Sequence, residues 1–137
     1  MKWVDTHCHL QLIDETLDSE NFHNIEFLII PGVDTESSLK AKEISSEMDL
    51  ESYWSAGLHP HDAKLLNSQR QSLENLFQEA DLIGETGLDF YRNLSTKEEQ
   101  LENFLFHLEH SKQLDKPIIV HCRDSFQDTY DQLVEFN

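Results

Sequence analysis

Basic residues are scarce in this sequence. Ten Lys and Arg stand against 27 Asp and Glu, leaving a formal net charge of −17. So acidic a chain offers no broad basic track for duplex DNA or for an anionic membrane surface. A phosphate-bearing substrate remains compatible, because bound divalent cations invert the local field. Cysteine is nearly absent: Cys8 and Cys122 are too few for a disulfide framework. Each adjoins a histidine in an extended run, so each is expected on the far side of its strand as a small buried residue. Glycine and proline are sparse, at four and three residues, and no linker, repeat or low-complexity tract is visible. Long apolar runs are missing too. The longest, Phe27–Ile30, falls far short of the ~20 residues a spanning helix needs, and nothing resembles a leader, so no membrane association and a cytoplasmic location are expected.

What is present is a strand-then-helix rhythm. Extended apolar runs predict strands at Lys2–Asp5, Ile25–Val33, Glu51–Leu58, Ala80–Gly87 and Pro117–His121. Their continuous apolar character suits parallel strands covered on both faces. Helical spacing predicts Thr35–Met48, Ser68–Glu79, Thr96–Leu114 and Ser125–Phe136. Thr96-Lys97-Glu98-Glu99 reads as a capping box, with Leu101, Phe104, Leu105 and Leu108 as the core stripe behind it. Phe126, Tyr130, Leu133 and Val134 repeat the pattern, and the four glycines are expected at or near strand ends.

Two α/β architectures fit such a rhythm. A doubly wound open sheet binds its ligand at one switch point, whereas a (β/α)8 barrel spreads its site over the carboxyl ends of nearly every strand. Here four of the five strands end in polar chemistry: Asp5-Thr6-His7-Cys8-His9, Gly57-Leu58-His59-Pro60-His61, Gly84-Glu85-Thr86-Gly87-Leu88-Asp89 and His121-Cys122-Arg123-Asp124. That distribution favours a partial (β/α)8 TIM-type barrel with about five of eight β-α units. Residues 1–137 then form a single incomplete domain, since a full barrel takes about 250 residues.

The clusters carry the ingredients of a two-metal hydrolytic centre. His7 and His9, two apart on an extended segment, face the same side and can chelate one cation, with Asp5 and Thr6 as acceptors that orient the rings. Glu85 emerges from an apolar strand where a glycine opens space, and its two oxygens can bridge two cations. His121 closes Ile118-Ile119-Val120 and is the candidate ligand of the second. His59 and His61 flank the stiffening Pro60 and are candidates to touch a substrate phosphate or a metal's water, or simply to pack the loop. Asp89, Tyr91, Arg92 and Arg123 are candidate substrate-side groups, with surface salt bridges as the alternative. Arginine's planar fork suits a phosphate.

Taken together, these four motifs, with Tyr91-Arg92 and with Gln100 and Phe104 between the last two, resemble the TatD family of metal-dependent deoxyribonucleases. The resemblance runs the length of the chain. It implies a TIM-like barrel, two divalent cations and phosphodiester hydrolysis that trims DNA from the 3′ end; imidazole and carboxylate ligands accommodate zinc, manganese, iron or nickel, and magnesium with less comfort. DNA ends or single-stranded DNA are the implied partners. It implies His7 and His9 on the first metal, Glu85 as the catalytic bridging carboxylate and His121 on the second. Arg92, His61 and Arg123 would steady the phosphate.

The resemblance also implies a further His and a further Asp from later strands, which these 137 residues do not contain. Each metal site is then one protein ligand short, and the outer strands are open edges. The chain by itself is accordingly expected to be impaired as a nuclease. Two alternatives stay open. One is a non-catalytic remnant that self-associates through its barrel edges; the other is a related metal-dependent hydrolase with a different substrate.

Overall fold

A computed structural model describes residues 1–14 and 19–136. The elements run β1 (Trp3–Asp5), β2 (Ile25–Pro31), α1 (Thr35–Glu47), β3 (Ser52–Ala56), α2 (Leu66–Glu79), β4 (Leu82–Asp89), α3 (Lys97–Leu114), β5 (Ile118–Arg123) and α4 (Phe126–Phe136). Short 3-10 turns cover Leu10–Leu12, Ser19–Phe22 and Pro60–Leu65.

All five strands pair in parallel, in the order β1-β2-β3-β4-β5. Every neighbour in space is the neighbour in sequence. A doubly wound sheet would reverse direction at its switch point, so this order decides for the barrel winding. The strands curl into a half-barrel, and their carboxyl ends lie on one rim.

Local chemistry starts the helices where the sequence predicts. The Asp34 side chain accepts the Ser37 N–H at the head of α1, and Thr96 and Glu99 close a reciprocal capping box at the head of α3. Pro60 opens the turn that leads into α2, where its missing N–H costs nothing. Lys116, just before β5, donates to the carbonyls of Phe77, Gln78 and Ala80 and so satisfies the end of α2.

The main core joins Leu28, Ile30, Trp54, Leu58, Leu73, Phe77, Ile83 and Phe106, and a smaller one joins Leu88, Phe104 and Leu108 between β4 and α3. Each fully buried Leu or Phe contributes roughly 1.5–3 kcal/mol. The centre of α3's buried face differs from the expected stripe. Leu101 and Leu105 are only partly buried, while Gln100, Asn103 and His107 are fully enclosed.

Cover on both faces holds for β4 and fails for the outer strands. Every residue of β1 is exposed, and Ile118, Ile119 and Val120 of β5 are half-buried. Among the described residues, each of these strands has a neighbour on one side only. For the same reason Phe126, Tyr130, Leu133 and Val134 of α4 are exposed rather than core. Cys122 is exposed as well, contrary to the buried role expected of it, and Cys8 is half-buried. Among the glycines, Gly84 and Gly87 lie inside β4, which runs two residues further than expected and takes Leu88 and Asp89 into the sheet.

Candidate metal centre

The rim is assembled from four strand ends. After β1 the chain stays beside β2: the Cys8 N–H and its thiol both donate to the Ile29 carbonyl, at 3.0 and 3.1 Å. That anchor turns His7 and His9 inward together. The His9 Nδ1–H donates to the Pro31 carbonyl (3.0 Å), which leaves the Nε2 lone pair facing the rim. The ring is thus oriented by Pro31, not by Asp5 or Thr6. Asp5 Oδ1 instead accepts the backbone N–H of His7 (3.0 Å).

Glu85 stands at the middle of the rim, 6% exposed. Two glycines make its position sterically accessible. A Cβ on Gly57 would lie 2.2 Å from the Gly84 carbonyl carbon, and one on Gly84 (φ +116°) would lie 2.4 Å from the Ile119 carbonyl oxygen. Without those atoms β3 and β5 close in on either side. The Glu85 N–H then reaches the Gly32 carbonyl at 2.7 Å.

The two Glu85 oxygens face different histidines. Oε2 lies 3.3 Å from His7 Nε2 and 3.5 Å from His9 Nε2, and those two nitrogens are 3.1 Å apart. Oε1 lies 3.2 Å from His121 Nδ1. His121 Nε2 sits 3.1 Å from Asp89 Oδ2, and His61 Nε2 reaches the same oxygen at 2.7 Å. His59 Nε2 is 3.2 Å from His121 Nδ1, while its Nδ1 accepts the His61 N–H at 3.2 Å. Two donor triads result, His7/His9/Glu85 and His59/Glu85/His121, each with its ligand atoms within 4.8 Å of one another.

Electrostatics follow from this crowding. Burial opposes ionisation of Glu85, yet hydrogen bonds with His121 and His9 and the nearby His7 and His59 hold its carboxyl well below the usual carboxylate range. The hydrogen bond with Glu85 raises His9 against the opposing effect of burial. The same partner, helped by Asp89, raises His121. His59 goes the other way: burial lowers it to about 4. Asp89 is held low despite burial by the Arg92 N–H and by His61 and His121. The Cys8 thiol is pushed up to about 12, first by burial and then by Asp5. It therefore stays protonated and is a poor ligand.

The donor set fits divalent cations. Two lone-pair nitrogens 3.1 Å apart beside a carboxylate oxygen need either a shared proton or a cation between them. Imidazole with carboxylate suits zinc, manganese or nickel. His7, His9 and Glu85 would hold one ion, and Glu85 with His121 and His59 a second.

His59, a candidate to touch a substrate phosphate or a metal's water or to pack the loop, lies beside Glu85 and His121. Asp89, a candidate substrate-side group, is fully buried and links His61 to His121. Tyr91, Arg92 and Arg123 stay at the exposed margin. The Arg123 guanidinium stacks 4.0 Å over the Tyr91 ring. The backbone N–H groups of Tyr91 and Arg92 both donate to Asp89 Oδ1, at 3.1 and 3.0 Å.

The profile of the TatD related DNase family matches residues 4–137. The metal-dependent hydrolase YcfH of Escherichia coli (strain K12), itself uncharacterized, is 31% identical over 141 residues, covering 92% of this chain and 51% of that protein. The 3′-5′ ssDNA/RNA exonuclease TatD of the same organism is 38% identical over 104 residues, covering 73% and 39%. The chain spans about half the length of the curated relatives it matches, or less. Among solved structures, the TatD homolog YJJV of Escherichia coli K12 superposes with a TM-score of 0.79 at 21% identity, covering 98% of this chain and 56% of that one. A TatD family hydrolase from Entamoeba histolytica gives 0.78 at 19%, covering 99% and 55%. These two likenesses are likenesses of fold. With its family profile matched over nearly every residue, the chain belongs to the TatD related DNase family.

Proposed function

We propose that residues 1–137 form an incomplete hydrolase domain that holds two divalent cations and acts on phosphodiesters at DNA 3′ ends or in single-stranded DNA. The observation that carries this reading is Glu85, whose two oxygens address two separate histidine sets. Bound cations would supply Lewis acidity and lower the pKa of an attacking water. Everything else is the work of side chains. His7, His9, His59 and His121 present nitrogen donors from three strand ends. Glu85 stays ionised because its histidine partners outweigh its burial. Asp89 orients His121 and His61 by accepting at one oxygen. At the open margin, Arg123 and Arg92 offer charge to a phosphate, and Tyr91 offers a ring face to a base. The TatD relatives named as ssDNA/RNA exonucleases support this substrate class. So does the acidic surface, which disfavours long duplex and leaves attraction to the cations at the rim. The two free cysteines suit a reducing, cytoplasmic setting.

Turnover by these residues alone is expected to be low, because each triad offers three protein donors and both count Glu85. The test is release of nucleotides from 3′-labelled single-stranded DNA with manganese, zinc, nickel or magnesium, for the chain and for Glu85→Ala. Metal-dependent release that vanishes in the variant supports the reading. Undiminished release in Glu85→Ala overturns it. A second reading, self-association without catalysis, is favoured by the bare edges at Trp3, Val4, Phe126 and Val134. It predicts dimers or larger species by light scattering, and a monomer at all concentrations would end it.

A further inference from the structure

Three polar side chains of α3 are completely enclosed: Gln100, Asn103 and His107, each 0% exposed. Spacings of three and four residues set them on one stripe of the helix. Each reaches across to the backbone beside a residue of the metal centre. The His107 Nδ1–H donates to the Asn103 carbonyl of its own helix (2.8 Å), which leaves Nε2 to accept the Leu58 N–H (3.1 Å). The Asn103 amide Nδ2 donates to the Leu58 carbonyl (2.7 Å). Both polar groups of Leu58 are thereby held by one helix. Gln100 treats Asp89 the same way: its Oε1 accepts the Asp89 N–H (2.7 Å) and its Nε2 donates to the Asp89 carbonyl (3.1 Å).

The placement has a physical cause. Leu58 lies two residues past β3, whose pairing with β4 ends at Ala56. Beyond that point the buried backbone has no ladder partner and needs another. The helix side chains take the place of a strand. Leu58 directly precedes His59, and Asp89 carries the carboxylate that binds His61 and His121.

We infer that Gln100, Asn103 and His107 are positioning residues for one half of the metal centre: they set His59, His61 and Asp89 through the backbone and leave His7 and His9 untouched. This rests on the metal-dependent reading above. The stripe has a defined polarity, because Asn103 must present its amide nitrogen to the Leu58 carbonyl. A reversed side chain would bring two acceptors together. Asn103→Asp is therefore a near-isosteric way to remove the donor.

The test uses the full chain with Asn103→Asp, Gln100→Glu, His107→Gln and His107→Leu, and with the exposed Glu109→Gln as control. Histidine ring nitrogen NMR spectra are recorded without metal, and zinc binding is followed by calorimetry. Asn103→Asp is expected to shift the His59 and His61 ring signals and leave those of His7 and His9 in place. One zinc site should weaken about tenfold, the range found for residues that orient metal ligands, with the other unchanged. His107→Gln retains an acceptor for the Leu58 N–H and should stay close to wild type, whereas His107→Leu should follow Asn103→Asp. Uniform weakening of both zinc sites, or unmoved His59 and His61 signals, would overturn the inference. If Asn103→Asp does not fold, the His107 pair and Gln100→Glu give the same reading. Absence of zinc binding in the wild type would defeat the metal-dependent proposal instead, and the metal-free spectra would still decide the positioning role.

Discussion

The two histidine sets around Glu85 use the same chemistry on unlike foundations. His7 and His9 follow a three-residue strand exposed along its whole length, and the His9 ring is oriented by one carbonyl, that of Pro31. His59, His61 and His121 lie against β4, buried from Ile83 to Asp89, and behind them α3 holds Leu58 and Asp89 by side chains. His7 and His9 hang on one edge strand, whereas in the other set His59 and Asp89 are braced from the core by α3 and only His121 lies on an edge strand, β5. Equal donors need not tolerate damage equally: a ligand held by one bond on an edge strand adapts, while one held through a buried network does not.

The largest test of this contrast removes what both sets share. Glu85→Ala is expected to abolish metal-dependent hydrolysis and to reduce zinc stoichiometry to one or none by calorimetry. The next separates the two sides. His121→Ala deletes the partner of Glu85, Asp89 and His59 at once and should lower both zinc stoichiometry and Tm. His7→Ala, at a site whose side chain is 43% exposed, should lose one zinc while changing folding stability by no more than about 0.5 kcal/mol.

A pH series sharpens it further. His9 and His121 are raised above the ordinary 6.5 by Glu85, so without metal their contribution is full below 6.5 and fades as pH rises through the raised values. Glu85 is depressed, so its contribution is full above the ordinary 4.5 and is lost only as pH falls through its lower folded value. The Glu85, His9 and His121 contributions are thus fullest together between 4.5 and 6.5. His59 in the same centre, lowered to about 4 by burial, instead contributes fully above 6.5 and fades as pH falls towards 4. Buried His107 behaves as His59 does. Lowered to about 4, it contributes fully above 6.5 and loses that contribution as pH falls towards 4. Thermal melts of the metal-free chain should show the acid-side loss shrink in His107→Gln. Zinc affinity should rise with pH up to neutrality, with protons released on binding, because cation and protons compete for the same nitrogens.

The smallest effects belong to the open margin. Cys122→Ser and Phe126→Ser touch exposed positions, and each should change stability by no more than about 0.5 kcal/mol in denaturant titration. A markedly larger effect in either would mean that the edge is covered in solution.

Much of this molecule is legible in its sequence. Capping residues Asp34 and Thr96 start their helices through bonds to residues three positions on, a local matter that spacing reveals. The His7/His9 pairing is equally local, since alternation along an extended segment puts both rings on one side. Where expectation and structure part, the missing information is nonlocal. Val120 and Leu133 look like core residues by type, but full burial needs cover on both sides, and among the described residues an outer strand has a neighbour on one side only. Gln100, Asn103 and His107 look like ordinary polar helix positions until Leu58 and Asp89 arrive opposite them.

By itself the sequence determined the kinds of donor available and their delivery to strand ends, because residue type and local periodicity suffice for both. Only the tertiary structure decided which donors meet. His59 and His121 are 62 residues apart in the chain, and their 3.2 Å approach depends on the curl of the sheet and on Gly57 and Gly84 letting neighbouring strands close around Glu85. Distance along a chain carries no angle, and packing supplies it.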